Sequence, residues 1–276
     1  MNMDFLFRLT DVKLFSLLIA IGITFSITGV VLVKYLVPHE IRLKDNAVIG
    51  NVASLIGLVY GVLVGITSLY LINNLSSTSD AVQREANAVA NIYRVVPWLQ
   101  EPMRGELSVL VTDYLNQAIF VEWPKMKNGD ELGETGNLIV DQIDKKLRSY
   151  PLVTQTDILV VRDLMDEEKA LYDARQARIE LSGSELSAEL WVVILIGTFL
   201  AISVNFLFGM NIWLHLLSAS AVGLMVSAMI FLLLTLDRPF QGEFVIDPDA
   251  LNAVLTTVKT NAYQIPALTT PPAKAS

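Results

Sequence analysis

Three long runs without charged residues constrain the fold of this chain more than any other feature. Residues 14–33, 46–79 and 190–236 contain no Asp, Glu, Lys or Arg. A helix of about 20 apolar residues crosses the hydrocarbon core of a bilayer, so the first two runs each predict one span. As a single helix, the third run would be on the order of 70 Å long, more than twice the thickness of that core. It must therefore fold back, and Gly209 and Asn211 favour a turn there.

Composition supports a membrane protein. Charged residues make up 17% of the 276-residue chain and hydrophobic residues 53%, whereas soluble domains carry about 25% charged residues. We therefore expect four spans, at about 14–36, 48–72, 190–208 and 213–236. Arg8 and Lys13 precede the first span as they would in a signal peptide, but the apolar segment is too long and no small-residue cleavage pattern follows. We expect this span to be retained.

An even number of spans places both termini and segment 73–189 on one side of the membrane. Basic residues near the span ends favour the cytoplasm for that side: Arg8, Lys13, Arg84, Arg175, Arg178 and Arg238, against Lys34, Arg42 and Lys44 on the other. We expect four parts: 1–72 with spans 1 and 2, a soluble cytoplasmic domain at 73–189, spans 3 and 4 at 190–236, and a C-terminal segment at 237–276.

The soluble segment has the apolar periodicity of helices and no convincing strand. The pattern predicts one helix over about 80–97, with Asp80 as N-cap and Gln83 completing a capping box. A second helix runs from Pro102 to just before Trp123-Pro124, a third over about 138–147, and a fourth over about 155–182. The fold class is therefore all-α, with two pairs of spans flanking a helical bundle. Asp247-Pro248 predicts a further short helix to about Val258, and residues 265–276 predict a flexible tail.

Small residues form a strip on two of the spans. Ala53, Gly57, Gly61 and Gly65 fall every fourth residue on span 2, and Ala219, Gly223 and Ser227 repeat the spacing on span 4. Such spacing lets helix backbones approach closely in lipid. The favoured interpretation is packing inside the four-helix bundle of one chain. Packing between subunits and direct lining of a conduit remain as alternatives.

Span 2 also carries polar side chains, which in a membrane helix tend to face a partner or water. The candidate pore-lining residues are Asn51, Ser54, Leu58, Val62 and Ser68. If subunits surround a pore, Asn51 and Ser54 would line it, and Leu58 with Val62 would form a dewetting constriction. The alternative is that the amide and hydroxyls simply bond to neighbouring helices.

Several function classes have little support in the sequence. The chain has no cysteine and a net charge of −8, which exclude disulfides and thiolate sites and disfavour nucleic acid as a partner. No span carries a mid-membrane charge, which disfavours an ion-coupled carrier. We expect no enzyme, cofactor or metal. The acidic group Asp163, Asp166, Glu167 and Glu168 is interpreted as a solvated face rather than a hard-cation site, and His215 as a packing residue rather than a pH sensor.

Three motifs resemble the bacterial bestrophin-like domain family. They are "AVQREANAVANIYRVV" after span 2, "DYLNQAIFVEWPKM" in the second soluble helix, and "LDRPFQGEF" leaving span 4. The resemblance covers about residues 15–258, and its most specific part is Leu236 to Phe240. It implies a bacterial inner-membrane protein built like bestrophins, which are pentameric chloride channels whose second span lines the pore. Because span 2 lacks the proline and phenylalanine neck pattern, and no acidic calcium clasp follows span 4, no pore or calcium residue is transferred by motif.

The leading functional expectation is a homo-oligomeric passive ion channel that prefers anions. The rival is a non-conducting scaffold or accessory subunit that acts on a larger membrane complex through its cytoplasmic helices. Expected partners are the lipid bilayer, further copies of the chain and other membrane proteins. At the end of span 4, Asp237 and Arg238 are expected to anchor the soluble bundle through a salt bridge at the interface.

Overall fold

The computed structural model describes residues 10–241 and 246–264, without the side chains of 39–41 and 262–264. The predicted tail, 265–276, lies outside this range. The described residues form ten α-helices and no strands: α1 (Asp11–Leu36), α2 (His39–Lys44), α3 (Asn46–Val95), α4 (Met103–Gln117), α5 (Trp123–Asn128), α6 (Thr135–Arg148), α7 (Gln155–Ser182), α8 (Ala188–Ser203), α9 (Ile212–Leu236) and α10 (Asp249–Gln264). The prediction of an all-α chain is confirmed for these residues.

Four of the described helices are long and apolar enough to cross a membrane, as predicted. They are α1, α8, α9 and the first part of α3. The predicted break in the third charge-free run is also present: α8 continues into a 3₁₀ turn over Val204–Leu207, and α9 begins at Ile212. Asn211 caps α9, because its side chain accepts a hydrogen bond from the backbone N–H of Trp213 at 3.0 Å.

The chain divides into two compact units, 1–75 with 184–245, and 76–183 with 246–276. In the first unit, α1 and α9 approach most closely where both carry small residues. A Cβ added to Gly22 would overlap the Ser227 hydroxyl, and one added to Gly223 would overlap the Ser26 hydroxyl. Small side chains at these positions allow the two backbones to meet. At one end of the pair, the rings of Phe15 and Phe231 pack with centroids 4.9 Å apart.

Two predicted helix boundaries are wrong. Asp80 is not an N-cap, because α3 continues without interruption from Asn46 to Val95, and the Gln83 side chain donates to Asn87 instead. Residues 73–79 contain neither Gly nor Pro, so their polar side chains lower helix propensity without breaking the helix. The second soluble helix also does not end before Trp123-Pro124. It passes through a π-helical turn, Ala118–Glu122, directly into α5, where Pro124 lies in the first turn and needs no N–H donor.

The second unit contains the end of α3 together with α4 to α7 and α10. Its core is formed by apolar side chains that are at most 1% exposed, among them Ile92, Leu107, Ile143, Leu164 and Leu251. The α7 helix spans the predicted range, and a capping box fixes its start: Thr154 and Asp157 exchange side-chain-to-backbone hydrogen bonds of 3.1 and 2.7 Å. The C-terminal helix α10 extends six residues beyond the expected end at Val258.

Candidate functional site

The packed side of α3 in the first unit is formed by residues that recur at helical spacing. Tyr60, Val64, Thr67 and Leu71 are all at most 5% exposed. The Tyr60 hydroxyl lies 2.9 Å from the Thr198 hydroxyl, and its ring fills the space that a side chain on Gly197 would occupy. The α3 and α8 helices are therefore held together by one inserted aromatic ring and one hydroxyl pair.

The opposite side of α3 carries three of the predicted pore-lining residues. Successive residues of a helix are rotated by about 100°, so Asn51, Leu58 and Val62 fall within about 20° of one line, opposite Tyr60. We call this line the open face. Leu58 is 66% exposed and Val62 54% exposed, and Asn51 is also exposed. None of the three is used for packing within the described chain.

The glycine strip of α3 does not pack as expected. A Cβ added to Gly57, Gly61 or Gly65 would have no atom within 4 Å, and all three residues are exposed. The favoured interpretation, close packing inside one chain, is therefore wrong for these glycines, because the ring of Tyr60 on another side of α3 makes the contact to α8 instead. Ala53, which opens the strip, is only partly buried. The strip follows one flank of the open face.

The polar pore-lining candidates on α3 differ in the hydrogen bonds that their side chains form. The Ser54 hydroxyl donates to the carbonyl of Gly50 at 2.9 Å, which is the usual intrahelical solution. The side-chain amide of Asn51 has no hydrogen-bond partner among the described residues and is exposed. Ser68, five turns further along, is partly buried. Of the predicted lining residues, Asn51 alone presents a free amide on the open face.

The small residues of α9 lie in the interface with α1. Ala219 is 1% exposed and Ser227 7% exposed, and the Gly223 contact to Ser26 lies between them. His215, one turn before Ala219, is 2% exposed, and its Nε2 lies 2.8 Å from the carbonyl oxygen of Asn205. The imidazole is thus hydrogen-bonded to a carbonyl in the 3₁₀ turn that follows α8.

Asp237 and Arg238, the two residues after α9, both contact residues at or just before the start of α8. The Asp237 carboxylate accepts hydrogen bonds from the Leu186 N–H at 2.7 Å and from the Trp191 indole at 3.2 Å. Arg238 forms an ion pair with Glu185 at 3.2 Å. Asp237 joins the end of α9 to the start of α8, through the N–H of Leu186 just before α8 and the indole of Trp191 within it. The predicted anchoring of the soluble bundle by Asp237 and Arg238 stays a prediction.

The second unit contains a cluster of buried charges, which we call the ion-pair cluster. Its members are Glu85 on α3, Glu122 in the π-helical turn, and Arg175 and Arg178 on α7, each at most 1% exposed. Arg175 binds Glu122 through two bonds of 2.6 and 2.8 Å. Arg178 donates through Nη2 to both Glu85, at 3.0 Å, and Glu122, at 2.9 Å. Two positive and two negative charges are therefore matched within the core.

Neighbouring groups satisfy the remaining hydrogen-bonding capacity of the cluster. The Tyr114 hydroxyl donates to Glu85, and Asn137 accepts from Arg175 at 3.0 Å. Gly136 leaves room for the guanidinium, since a Cβ there would overlap Arg175 and Glu122. The π-helical turn contributes by turning Glu122 inward between Ile119 and Trp123, which are also buried.

The surroundings of the cluster lower the pKa of Glu122 and raise the pKa of the adjacent Tyr114. Burial raises the pKa of Glu122, but the hydrogen bond from Arg175 and the charges of both arginines outweigh it, so the net pKa is lowered. Burial and the adjacent Glu85 charge raise the pKa of Tyr114 well above its usual value. The phenol stays neutral and the carboxylate ionised, so the cluster acts as a fixed structural element at neutral pH.

Sequence reasoning missed this cluster, although its signal was present. Glu85 falls on the same helical stripe as Val82, Ala86 and Val89, where a charge has to be paired. Glu85, Tyr114 and Glu122 also lie inside two of the motifs that carry the family resemblance. Arg175 and Arg178 were assigned only to the count of cytoplasmic charges.

The acidic group on α7 lies on the surface as two exposed and two partly buried residues. Asp163 and Asp166 are exposed, and Glu167 accepts a hydrogen bond from Asn91 at 3.1 Å. Partial burial, followed by the charge of Asp144, raises the pKa of Glu168 to about 7. The group therefore contains one carboxylate that titrates near neutral pH.

The four long apolar helices, in a chain whose described residues form helices and no strands, define a polytopic helical membrane protein. Residues 20–251 match the Bestrophin-like domain family, and the chain belongs to this family. The fold is similar to that of a crystallised variant of a bacterial bestrophin homologue from Klebsiella pneumoniae, with a TM-score of 0.67 at 11% identity, over 90% of this chain and 99% of that one. The fold is also similar to that of a crystallised membrane protein variant, with a TM-score of 0.65 at 10% identity, over 90% of this chain and 98% of that one. No curated protein matches the chain.

Proposed function

We propose that the protein is a homo-oligomeric passive ion channel in which α3 of each subunit lines a central conduit. The observation that carries the proposal is the Asn51 amide, which is exposed on the open face of a membrane helix and has no partner in the described chain. A free amide in a membrane helix is costly unless it meets water or another subunit. A conduit along the symmetry axis of an oligomer supplies the water.

The order of exposed residues along α3 supports the same proposal. Asn51 and Ser54 lie near the start of α3, and Leu58 and Val62 follow one to two turns further on. Their order gives a polar entrance followed by an apolar constriction, which can gate by dewetting. The unoccupied glycine strip on the flank gives a neighbouring subunit a smooth surface on which to pack. Anion preference rests on membership of the family, and the proposed site is the bacterial inner membrane with both termini and residues 73–189 in the cytoplasm.

Halide flux into liposomes tests this proposal. The Asn51→Leu, Ser54→Leu double variant should lose flux, and Leu58→Ala with Val62→Ala should raise it by widening and wetting the constriction. Val59→Ala is the matched control, since Val59 is 61% exposed but lies about 80° from the open face. Equal flux in all variants, or a monomer in the membrane, would refute the proposal.

The alternative function, a scaffold or accessory subunit, is favoured by a separate observation in the second unit. Trp98 is 73% exposed and Val153 is 82% exposed. Val153 lines a groove of about 260 Å³ together with residues 100–103, Tyr150, Pro151 and Asp157. Trp98 precedes the first of these lining residues by two positions. Exposed apolar side chains around a groove are typical of a protein contact. If the scaffold function holds, Trp98→Ser should abolish complex formation while the pore variants have no effect.

A further inference from the structure

The first unit contains a buried arginine that has no counter-ion among the described residues. Arg42 lies on the short α2 helix between spans 1 and 2, and the residue is 6% exposed. Its Nε–H has no hydrogen-bond partner. Its Nη1 lies 3.5 Å from the carbonyl oxygen of Phe208, which is the limit of a hydrogen bond. Arg42 forms no ion pair with a described residue. A buried guanidinium normally has a carboxylate or phosphate partner.

The position of Arg42 is fixed by the packing of the two loops that connect the spans. Asn46 exchanges two hydrogen bonds of 2.8 Å with the backbone of Gly209. Gly209 has no side chain, and a Cβ there would lie 2.6 Å from the backbone nitrogen of Leu43. The guanidinium is thus held at one end of spans 1 to 4, where the headgroups of one leaflet lie, and it is not on a mobile surface side chain.

An apolar groove begins beside the same loop. It has a volume of about 610 Å³ and is lined by Leu32, Phe199, Phe206 and Leu207, among others from α1, α3 and α8. Leu207 is the residue before Phe208, whose carbonyl contacts Arg42. The volume falls in the range of roughly 300–1,000 Å³ that is typical of ligand pockets. A polar atom also lies in the groove, because the Ser203 hydroxyl is buried without a hydrogen-bond partner.

A second groove continues from the first along the membrane-spanning part of the unit. It has a volume of about 240 Å³, and Phe25 and Phe199 line both grooves. Along α1 the lining extends from Leu32 to Leu18, about 21 Å at 1.5 Å per residue. This length exceeds half of the roughly 30 Å hydrocarbon core, which is the depth of one leaflet. One acyl chain therefore fits along it.

We propose that this chain binds one anionic phospholipid, with its phosphate at Arg42 and one acyl chain in the two adjoining grooves. Neither observation alone identifies the occupant. The unpaired guanidinium requires an anion, and the grooves require a hydrocarbon chain about one leaflet long; a phospholipid supplies both in one molecule. Binding at this site does not depend on conduction through the open face of α3.

The proposal is tested by measuring which phospholipid the purified protein retains. The full-length protein is reconstituted in vesicles with equal amounts of phosphatidylglycerol and phosphatidylcholine and extracted in mild detergent. Native mass spectrometry then measures how many molecules of each lipid remain bound. The wild type should retain about one phosphatidylglycerol per chain in preference to phosphatidylcholine. Arg42→Gln should weaken this retention about tenfold, the loss of one charge-assisted contact. Lys44→Gln, which removes an exposed charge from the same helix, should leave it unchanged.

A second pair of variants tests the grooves if Arg42→Gln does not fold. Leu32→Trp fills the first groove and should displace the lipid, whereas Leu36→Trp, on the same helix but outside the groove and 70% exposed, should not. Equal retention of both lipids, or equal loss in the paired variants, would overturn the proposal. Inorganic phosphate and short-chain phosphatidylglycerol are also compared for how much each stabilises the lipid-free protein. Equal stabilisation by the two would show a free-anion site and overturn the lipid assignment.

Discussion

Replacement of Glu85 by Gln removes one of the two negative charges from the ion-pair cluster at nearly constant volume. The Gln amide keeps one acceptor oxygen, but its NH2 group cannot accept the second bond from Arg178. Glu122 alone then has to balance the charges of both arginines in a site that is at most 1% exposed. An uncompensated charge left in a protein core costs about 3–5 kcal/mol. We expect Glu85→Gln to lower the free energy of unfolding by that amount.

The matched control is Glu106→Gln, which lies in the same unit as Glu85. Glu106 forms an ion pair with Lys146 at 2.7 Å, but both side chains are more than 40% exposed. Such surface pairs contribute about 0–1 kcal/mol, so this variant should unfold almost like the wild type. Chemical denaturation of the detergent-solubilised full chain, followed by tryptophan fluorescence, compares the two variants.

The double variant Glu85→Gln, Arg178→Met separates charge imbalance from lost packing. Removal of the arginine restores neutrality, so the double variant should cost less than the sum of the two single changes. A Glu85→Gln variant no less stable than Glu106→Gln would refute the reasoning, as would strict additivity in the cycle.

Three further predictions concern other parts of the chain. The pKa of Glu168 is raised to about 7, so its contribution to stability is present below its unfolded pKa near 4.5 and is lost as the pH rises through 7. Denaturation curves should therefore show Glu168→Gln to be as stable as wild type near pH 4. At pH 8 the variant should be more stable by about 1 kcal/mol, after allowance for partial exposure. Gly22→Ala should lower the free energy of unfolding of the solubilised chain by about 1–3 kcal/mol because the added methyl clashes with Ser227, whereas Gly57→Ala, whose methyl meets no atom, should leave it unchanged. Equal effects in thermal unfolding would contradict the observed packing. Thr154→Ala removes the capping hydrogen bond of α7 and should cost about 1 kcal/mol; the same loss in Thr256→Ala, an exposed helical site, would show that the cap is not responsible.

Agreement between sequence and structure is closest where one helix decides the outcome by itself. A charge-free run of 20 or more residues can satisfy its backbone only as a helix in lipid, so the four spans and the turn near Gly209 followed directly. Apolar periodicity likewise predicted α6 and α7. The boundaries at Asp80 and Trp123 were wrong because local signals for capping and for proline are weak compared with the packing of the helix that contains them.

The sequence by itself determined that the chain is all-α, that it carries four helices able to span a membrane, and which residues are spaced for close packing. Only the tertiary structure decided which of those surfaces are occupied: Gly22 and Gly223 meet across α1 and α9, whereas Gly57, Gly61 and Gly65 remain open. It also placed Glu85 and Arg178, 93 positions apart in the chain, in one buried pair. The physical reason is that spacing specifies a face of a helix, but the partner of that face is chosen by long-range packing and by the need to pair every buried charge.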